Sequence, residues 1–297
     1  MRYSLLERVR GTFLGAFLGE SLSHPDICNL GKIAVVGTES LISLGRLDVD
    51  DWLNRQQQTG IKLETNIDLW GQIILATLPV VVFFHDDMEK MRVNILEVQK
   101  IWSCSDEVIL QDGSLIIGYA IAQCLNEKLN PSTLISETIN FLGQTSTSLS
   151  QQLIKVNDLL KTGASLDIAV RELTSPEKLT TNIGLAVYCF LSTLEDFSLT
   201  VLRASQNHGT NQNLTSAIAG ALSGTYNSIV GIPVDWQISP SVSHSGTWGL
   251  ENFTQMLRLT DKMIAVWAGV YDWSNDFGDV LDTRYTIFAA PHIIRRR

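Results

Sequence analysis

The chain has 297 residues, of which 45% are hydrophobic and 18% charged, and its formal net charge is −9. That length and apolar content suffice to bury a large core without staples, and the acidic balance excludes a general nucleic-acid surface, because no basic face is implied for phosphates. The one basic cluster, Arg295, Arg296 and Arg297, reads as a solvated tail.

In chain order, Arg2, Arg8 and Arg10 precede the apolar run Gly11 to Leu18. The run is short, rich in glycine and flanked by Glu7 and Glu20, so it predicts a packed first helix rather than a leader. Gly11, Gly15 and Gly19 are four apart and share one side of that helix, where small residues let another backbone approach. Asp48 is a candidate cap for a helix through Trp52 to Gln58. The stretch Leu69 to Phe84 is the most hydrophobic. It falls short of the ~20 residues that span a bilayer, so it predicts a buried helix, broken or kinked near Pro79. His85-Asp86-Asp87 follows as a solvated turn.

Ser114 to Leu125 predicts another apolar helix. Pro131 suits the first turn of a helix running toward Leu142, and Ser175-Pro176-Glu177 is a second start of that kind, ahead of the apolar segment Ile183 to Leu191. Helices are predicted over Glu195 to Ser205, Thr215 to Tyr226 and Glu251 to Tyr271. No sustained alternation argues for a sheet. The expectation is an all-α, compact multi-helix fold, with residues 1–297 forming one domain because no linker-like stretch divides them. Cys28, Cys104, Cys124 and Cys189 show no metal-ligand spacing, so they read as reduced, mostly buried thiols of a cytoplasmic protein. No membrane partner is expected. Trp236, Trp248, Trp267 and Trp273 read as core or interface residues.

Several segments then point one way. Arg10-Gly11-Thr12-Phe13-Leu14-Gly15-Ala16-Phe17-Leu18-Gly19-Glu20-Ser21-Leu22 has a first-helix glycine pattern. Asn207-His208-Gly209-Thr210-Asn211-Gln212-Asn213 leads into Ala217-Ile218-Ala219-Gly220-Ala221-Leu222-Ser223-Gly224, and Gly231-Ile232-Pro233 and Trp236 follow. Together with Glu39-Ser40-Leu41-Ile42, Asp48 to Arg55, and Gly71 to Phe83, these resemble the ADP-ribosylglycohydrolase family over most of residues 8–236. The resemblance implies an all-α fold, and hydrolysis of ADP-ribose linkages by two Mg²⁺ ions held between carboxylates.

The acids that this chemistry needs are missing. Counting back from Ile218-Ala219-Gly220-Ala221, the family's late Asp-x-Asp pair falls on Asn211 and Asn213, and its threonine on Leu214. An amide keeps an oxygen but loses the charge that holds Mg²⁺ against water. The early Thr-Asp-Asp-Thr stretch falls on Cys28-Asn29-Leu30-Gly31, and the family's first-helix aspartate is Glu20. The chain therefore reads as a pseudo-enzyme with no catalytic residue, no metal ligand and no cofactor. Its remnant ligand cleft would comprise Glu20, Asn207, Gly209, Thr210, Asn211 and Asn213. A helix N-terminus there suits a phosphate or ribose, so the expected partner is an ADP-ribose-like or nucleotide ligand, or else another protein. Two alternatives stand: an Mg²⁺-dependent hydrolase rebuilt from Glu20, Asp26 and Glu39, and a purely structural role with the cleft filled by side chains.

Overall fold

A computed structural model describes residues 3–23, 30–61, 69–102, 107–206, 212–237, 248–250 and 252–270. Among these residues the chain is helical throughout, with no β-strand. The helices are α1 (Leu5–Ser23), α2 (Lys32–Leu44), α3 (Val49–Gln58), α4 (Leu69–Ala76), α5 (Leu78–Phe83), α6 (Met88–Gln99) and α7 (Glu107–Leu125). They continue with α8 (Leu134–Leu142), α9 (Leu149–Lys161), α10 (Leu166–Leu173), α11 (Lys178–Ser192), α12 (Phe197–Ser205), α13 (Gln212–Asn227), the short α14 (Val234–Gln237) and α15 (Phe253–Trp267).

The closest packing joins the first helix to a late one. A methyl group added at Gly11, Gly15 or Gly19 would sit 2.0, 2.1 or 2.0 Å from the carbonyl oxygens of Gly224, Gly220 and Ser216 respectively. As residue numbers rise along α1 they fall along α13, so the two helices run antiparallel with backbones touching. Only glycine permits this approach, which gains dispersion and weak Cα–H···O contacts along the seam. Thr12 and Thr225 pair their hydroxyls across it at 2.9 Å. α13 is wrapped by α1, α7, α11 and α12, and twelve residues from Leu214 to Thr225 are buried in an unbroken run.

Two arginines of α1 tie it to distant elements. Arg10 grips Asp261 of α15 with two 2.7 Å hydrogen bonds, a bidentate geometry. The buried Arg8 donates to the carbonyls of Cys124 (3.0 Å) and Leu125 (2.8 Å) at the end of α7 and pairs with Glu127. It thereby meets carbonyls that the helix cannot satisfy itself, with a cation where the helix dipole favours one. Val108–Leu125 of α7 is long and apolar enough to cross a bilayer, and 78% of it is buried against neighbouring helices. Burial pushes the Cys189 thiol up to about 12 and raises that of Cys124 further, so both remain protonated.

Several local expectations hold. Asp48 caps α3 by accepting from Asp51 N, and the Leu69–Phe83 stretch breaks at Thr77, with Pro79 in the first turn of the second piece. Others shift. Pro131 lies in a turn and α8 begins only at Leu134, while Pro176 precedes the α11 cap at Glu177. In both cases Asn130, Ser175 and their neighbours form a turn before the helix, which places proline outside it.

His85 is not part of a solvated turn: it is 3% exposed. Its Nδ1 lies 2.7 Å from Val82 O, its ring meets that of Trp267 at a 40° tilt with centroids 5.0 Å apart, and Asn126 donates to its carbonyl. Three apolar neighbours in α5 draw it inward. Asp86 is exposed, and Asp87 caps α6 by accepting from Lys90 N.

Two outcomes follow. Gly15→Val must force α1 and α13 apart, and should cost about 3 kcal/mol or more in urea unfolding. Gly163→Ala, strained at φ +63° but in open space, should cost about 1 kcal/mol. For His85, burial lowers its pKa below 6.5, with Arg8 acting in the same sense and Asp86 opposing. The unfolded chain then binds the proton more readily. The contribution of neutral His85 should be complete above about pH 6.5 and fall as pH drops through that value. The loss of stability between pH 7.5 and 5 should be smaller in His85→Asn. An equal loss in both proteins would show that His85 does not titrate on unfolding.

Candidate functional site

The α1–α13 pairing brings the end of α1 to the start of α13, and with them the expected cleft residues Glu20 and Asn213. Glu20, the last buried acid of α1, is 0% exposed. Its Oε1 accepts a 2.9 Å hydrogen bond from Leu30 N, and its Oε2 accepts one of 2.7 Å from the indole Nε1 of Trp248. A buried carboxylate needs such donors, since an uncompensated one would cost several kcal/mol.

Trp248 is fully buried, and its ring meets Phe17 edge-on at 6.0 Å and 89°. It also lies flat on Gly31: a methyl there would sit 2.0 Å from Cδ2 and Cε2 of the ring. Its backbone has φ +56°, a left-handed conformation that a bulky residue adopts only when its surroundings enforce it. The indole's burial and its bond to Glu20 supply that enforcement. Gly31 in turn is the N-cap of α2.

Beside this cluster the early and late segments meet through hydrocarbon. Leu30 is 3% and Leu214 1% exposed, and both close on the bare face of Gly71 in α4, with methyl carbons 2.9 and 3.5 Å from where a side chain there would begin. At the next residue of α13, Thr215 reaches the buried Asn182 of α11 at 3.3 Å. Asn213, in the first turn of α13, holds its Oδ1 buried without a hydrogen-bond partner.

Of the expected cleft residues, Glu20 and Asn213 therefore lie at one end of the α1–α13 pair. Asn207, Gly209, Thr210 and Asn211 lie outside the described residues, as do Asp26, Cys28 and Asn29. Glu39 is an exposed residue of α2 whose charged neighbour is Arg55 of α3. It lies eight residues beyond Gly31, about 12 Å along the helix. Among the described residues no three His, Cys, Asp or Glu side chains gather as a metal site.

A family's Mg²⁺ pair would have to find anionic oxygen here. The described residues do not by themselves fit it: Glu20 is engaged by N–H donors, Asn213 offers a neutral amide, and Leu30 and Leu214 offer no ligand atom. No chemical step is accordingly derived through the metal. Sequence reasoning missed Asn182 and the partnership of Trp248 with Glu20. Those two residues are 228 positions apart, and no spacing rule joins them.

A family model described as ADP-ribosylglycohydrolase matches residues 32–269. The chain belongs to this family. The match begins after α1, so the glycine-bearing first helix lies outside it, and it extends beyond Trp236 through α15. No curated protein matches the chain.

Trp248→Phe keeps an aromatic edge for Phe17 but leaves Glu20 Oε2 without its indole donor. It should lower stability by about 2 to 3 kcal/mol, whereas Trp236→Phe, at a partly exposed site, should cost under about 1 kcal/mol. Equal losses by urea unfolding would mean that the Glu20–Trp248 bond carries no special weight.

Proposed function

We propose that this family member does not hydrolyse ADP-ribose linkages and instead binds an ADP-ribose-like or nucleotide ligand without metal. The observation that carries the first half is the fate of Glu20. Both oxygens of its carboxylate accept hydrogen bonds, from Leu30 N and Trp248 Nε1, and the two positions that the resemblance assigns to family metal-site residues, Leu30 and Leu214, are packed hydrocarbon. Each oxygen of a carboxylate so engaged is already held by an N–H donor, which competes with a hard cation or a water for it.

The unpartnered Oδ1 of Asn213 supports the second half. A buried acceptor left unsatisfied costs about 1 to 3 kcal/mol, and a ribose hydroxyl is a donor that would relieve it. The partial positive charge at the start of α13 suits a phosphate.

Calorimetric titration of ADP-ribose should give binding that is the same with Mg²⁺ and with chelator. It should weaken about fivefold or more in Asn213→Ala, the equivalent of one hydrogen bond. Release of ADP-ribose from a modified protein should not rise with Mg²⁺. Mg²⁺-dependent release, or binding abolished by chelator, would overturn the reading.

A further inference from the structure

A second concavity lies on the other half of α11. Asn182, which faces the start of α13, and Ser192, at this groove, are ten residues apart, about 15 Å along the helix. The groove encloses about 660 Å³ between the ends of α9 and α11, the last turn of α12 and the turn at Pro131. That volume is within the range of small-molecule sites. Its walls are mixed: Leu159, Leu160 and Leu191 are apolar, while Lys161 and Arg203 are cationic, and no carboxylate lines it. In a chain of net charge −9, this is a local reversal of sign.

Arg203 is the unusual member. Its guanidinium lies over the ring of Tyr188 at 5.7 Å. Of its five N–H donors, one has a protein acceptor, Tyr188 Oη, at the long distance of 3.5 Å. The Nε–H is buried with no acceptor. Tyr188 Oη spends its own proton on Ala164 O at 2.5 Å, so its oxygen is turned to receive the arginine. Among the described residues no carboxylate lies within ion-pair reach of Arg203. Lys161 has only a loose 4.0 Å pair with the equally exposed Asp158.

Placement at helix ends explains why cations occur here, since a cation offsets the C-terminal dipole. It does not explain a half-buried guanidinium with unmet donors. The last carbonyls of α9 are already taken by backbone: Thr162 N meets Asp158 O, Gly163 N meets Leu160 O and Ala164 N meets Leu159 O.

We propose that this groove binds a small organic oxyanion, a carboxylate or a phosphate monoester on an apolar body. Arg203 would supply a planar fork to the oxyanion, Lys161 a second charge, and the three leucines the apolar wall. The test is calorimetric titration of the full-length chain with benzoate, phenyl phosphate and inorganic phosphate. At least one aromatic anion should bind saturably, one per chain, and the better of the two identifies the source chemistry. Inorganic phosphate should bind more weakly than phenyl phosphate. Loss of a charge-assisted hydrogen bond should weaken binding about tenfold or more in Arg203→Gln, and about threefold in the exposed variant Lys161→Gln. The absence of saturable binding by either aromatic anion would overturn the proposal. So would unchanged affinity in Arg203→Gln of intact circular dichroism. Should Arg203→Gln not fold, unchanged affinity in Lys161→Gln has the same force. Failure of ADP-ribose binding at α13 leaves this test unaffected.

Discussion

Backbone-to-backbone contact between α1 and α13 is the constraint from which the rest of the molecule takes its positions. Three glycines on one helix and two on the other remove side chains from the points of closest approach. The axes can then approach more closely than the 8–10 Å usual for packed helices. Because the contact is between rigid backbones rather than adaptable side chains, it fixes rotation and register together. Glu20 is thereby delivered to the start of α13, and Arg8 and Arg10 are aimed at α7 and α15. Slippage by one residue on either helix would set a side chain against a carbonyl oxygen.

That rigidity gives the buried charges their meaning. Glu20 and Arg8 are both inside, and both are matched: one by a backbone N–H and an indole, the other by helix-end carbonyls and Glu127. Matching of this kind makes an ionised group tolerable where it could not otherwise exist. Arg203 stands apart because its surroundings leave donors unmet. Asn213 mirrors it with an unmet acceptor. Polar groups without partners are uncommon in a well-packed interior; others here, such as Trp52 Nε1 and Gln99 Oε1, lie elsewhere in the core, whereas Arg203 and Asn213 stand at the two proposed ligand sites.

The sequence carried the helical class because apolar spacing and glycine pattern are local signals. Asp48 announced its helix, and Pro79 its break, by effects that act within one turn. Pro131 and Pro176 were harder. Proline fixes its own backbone angle, but whether it lies inside or outside a helix depends on the turn that precedes it. His85 was misplaced because its neighbours Asp86 and Asp87 are polar, whereas the ring follows the apolar run behind it and finds Trp267 from the far end of the chain. The expected replacement of a family acid at Asn213 and of a family threonine at Leu214 was legible by alignment alone. The partner of Glu20 was not, since Trp248 reaches it through the fold and not through any periodicity.

The pairing of an early helix with a late one also sets the order of assembly. Roughly 200 residues separate the two sides of the glycine seam, and a ribosome adds about 5 to 20 residues per second. The first helix therefore waits on the order of 10 to 40 seconds, with its bare stripe uncovered, before its mate exists. Closing so long a loop also delays folding after synthesis. A stripe of small residues is a modest hazard during that interval, because it exposes little greasy surface to stray neighbours. Glycine here serves the nascent chain as well as the finished one.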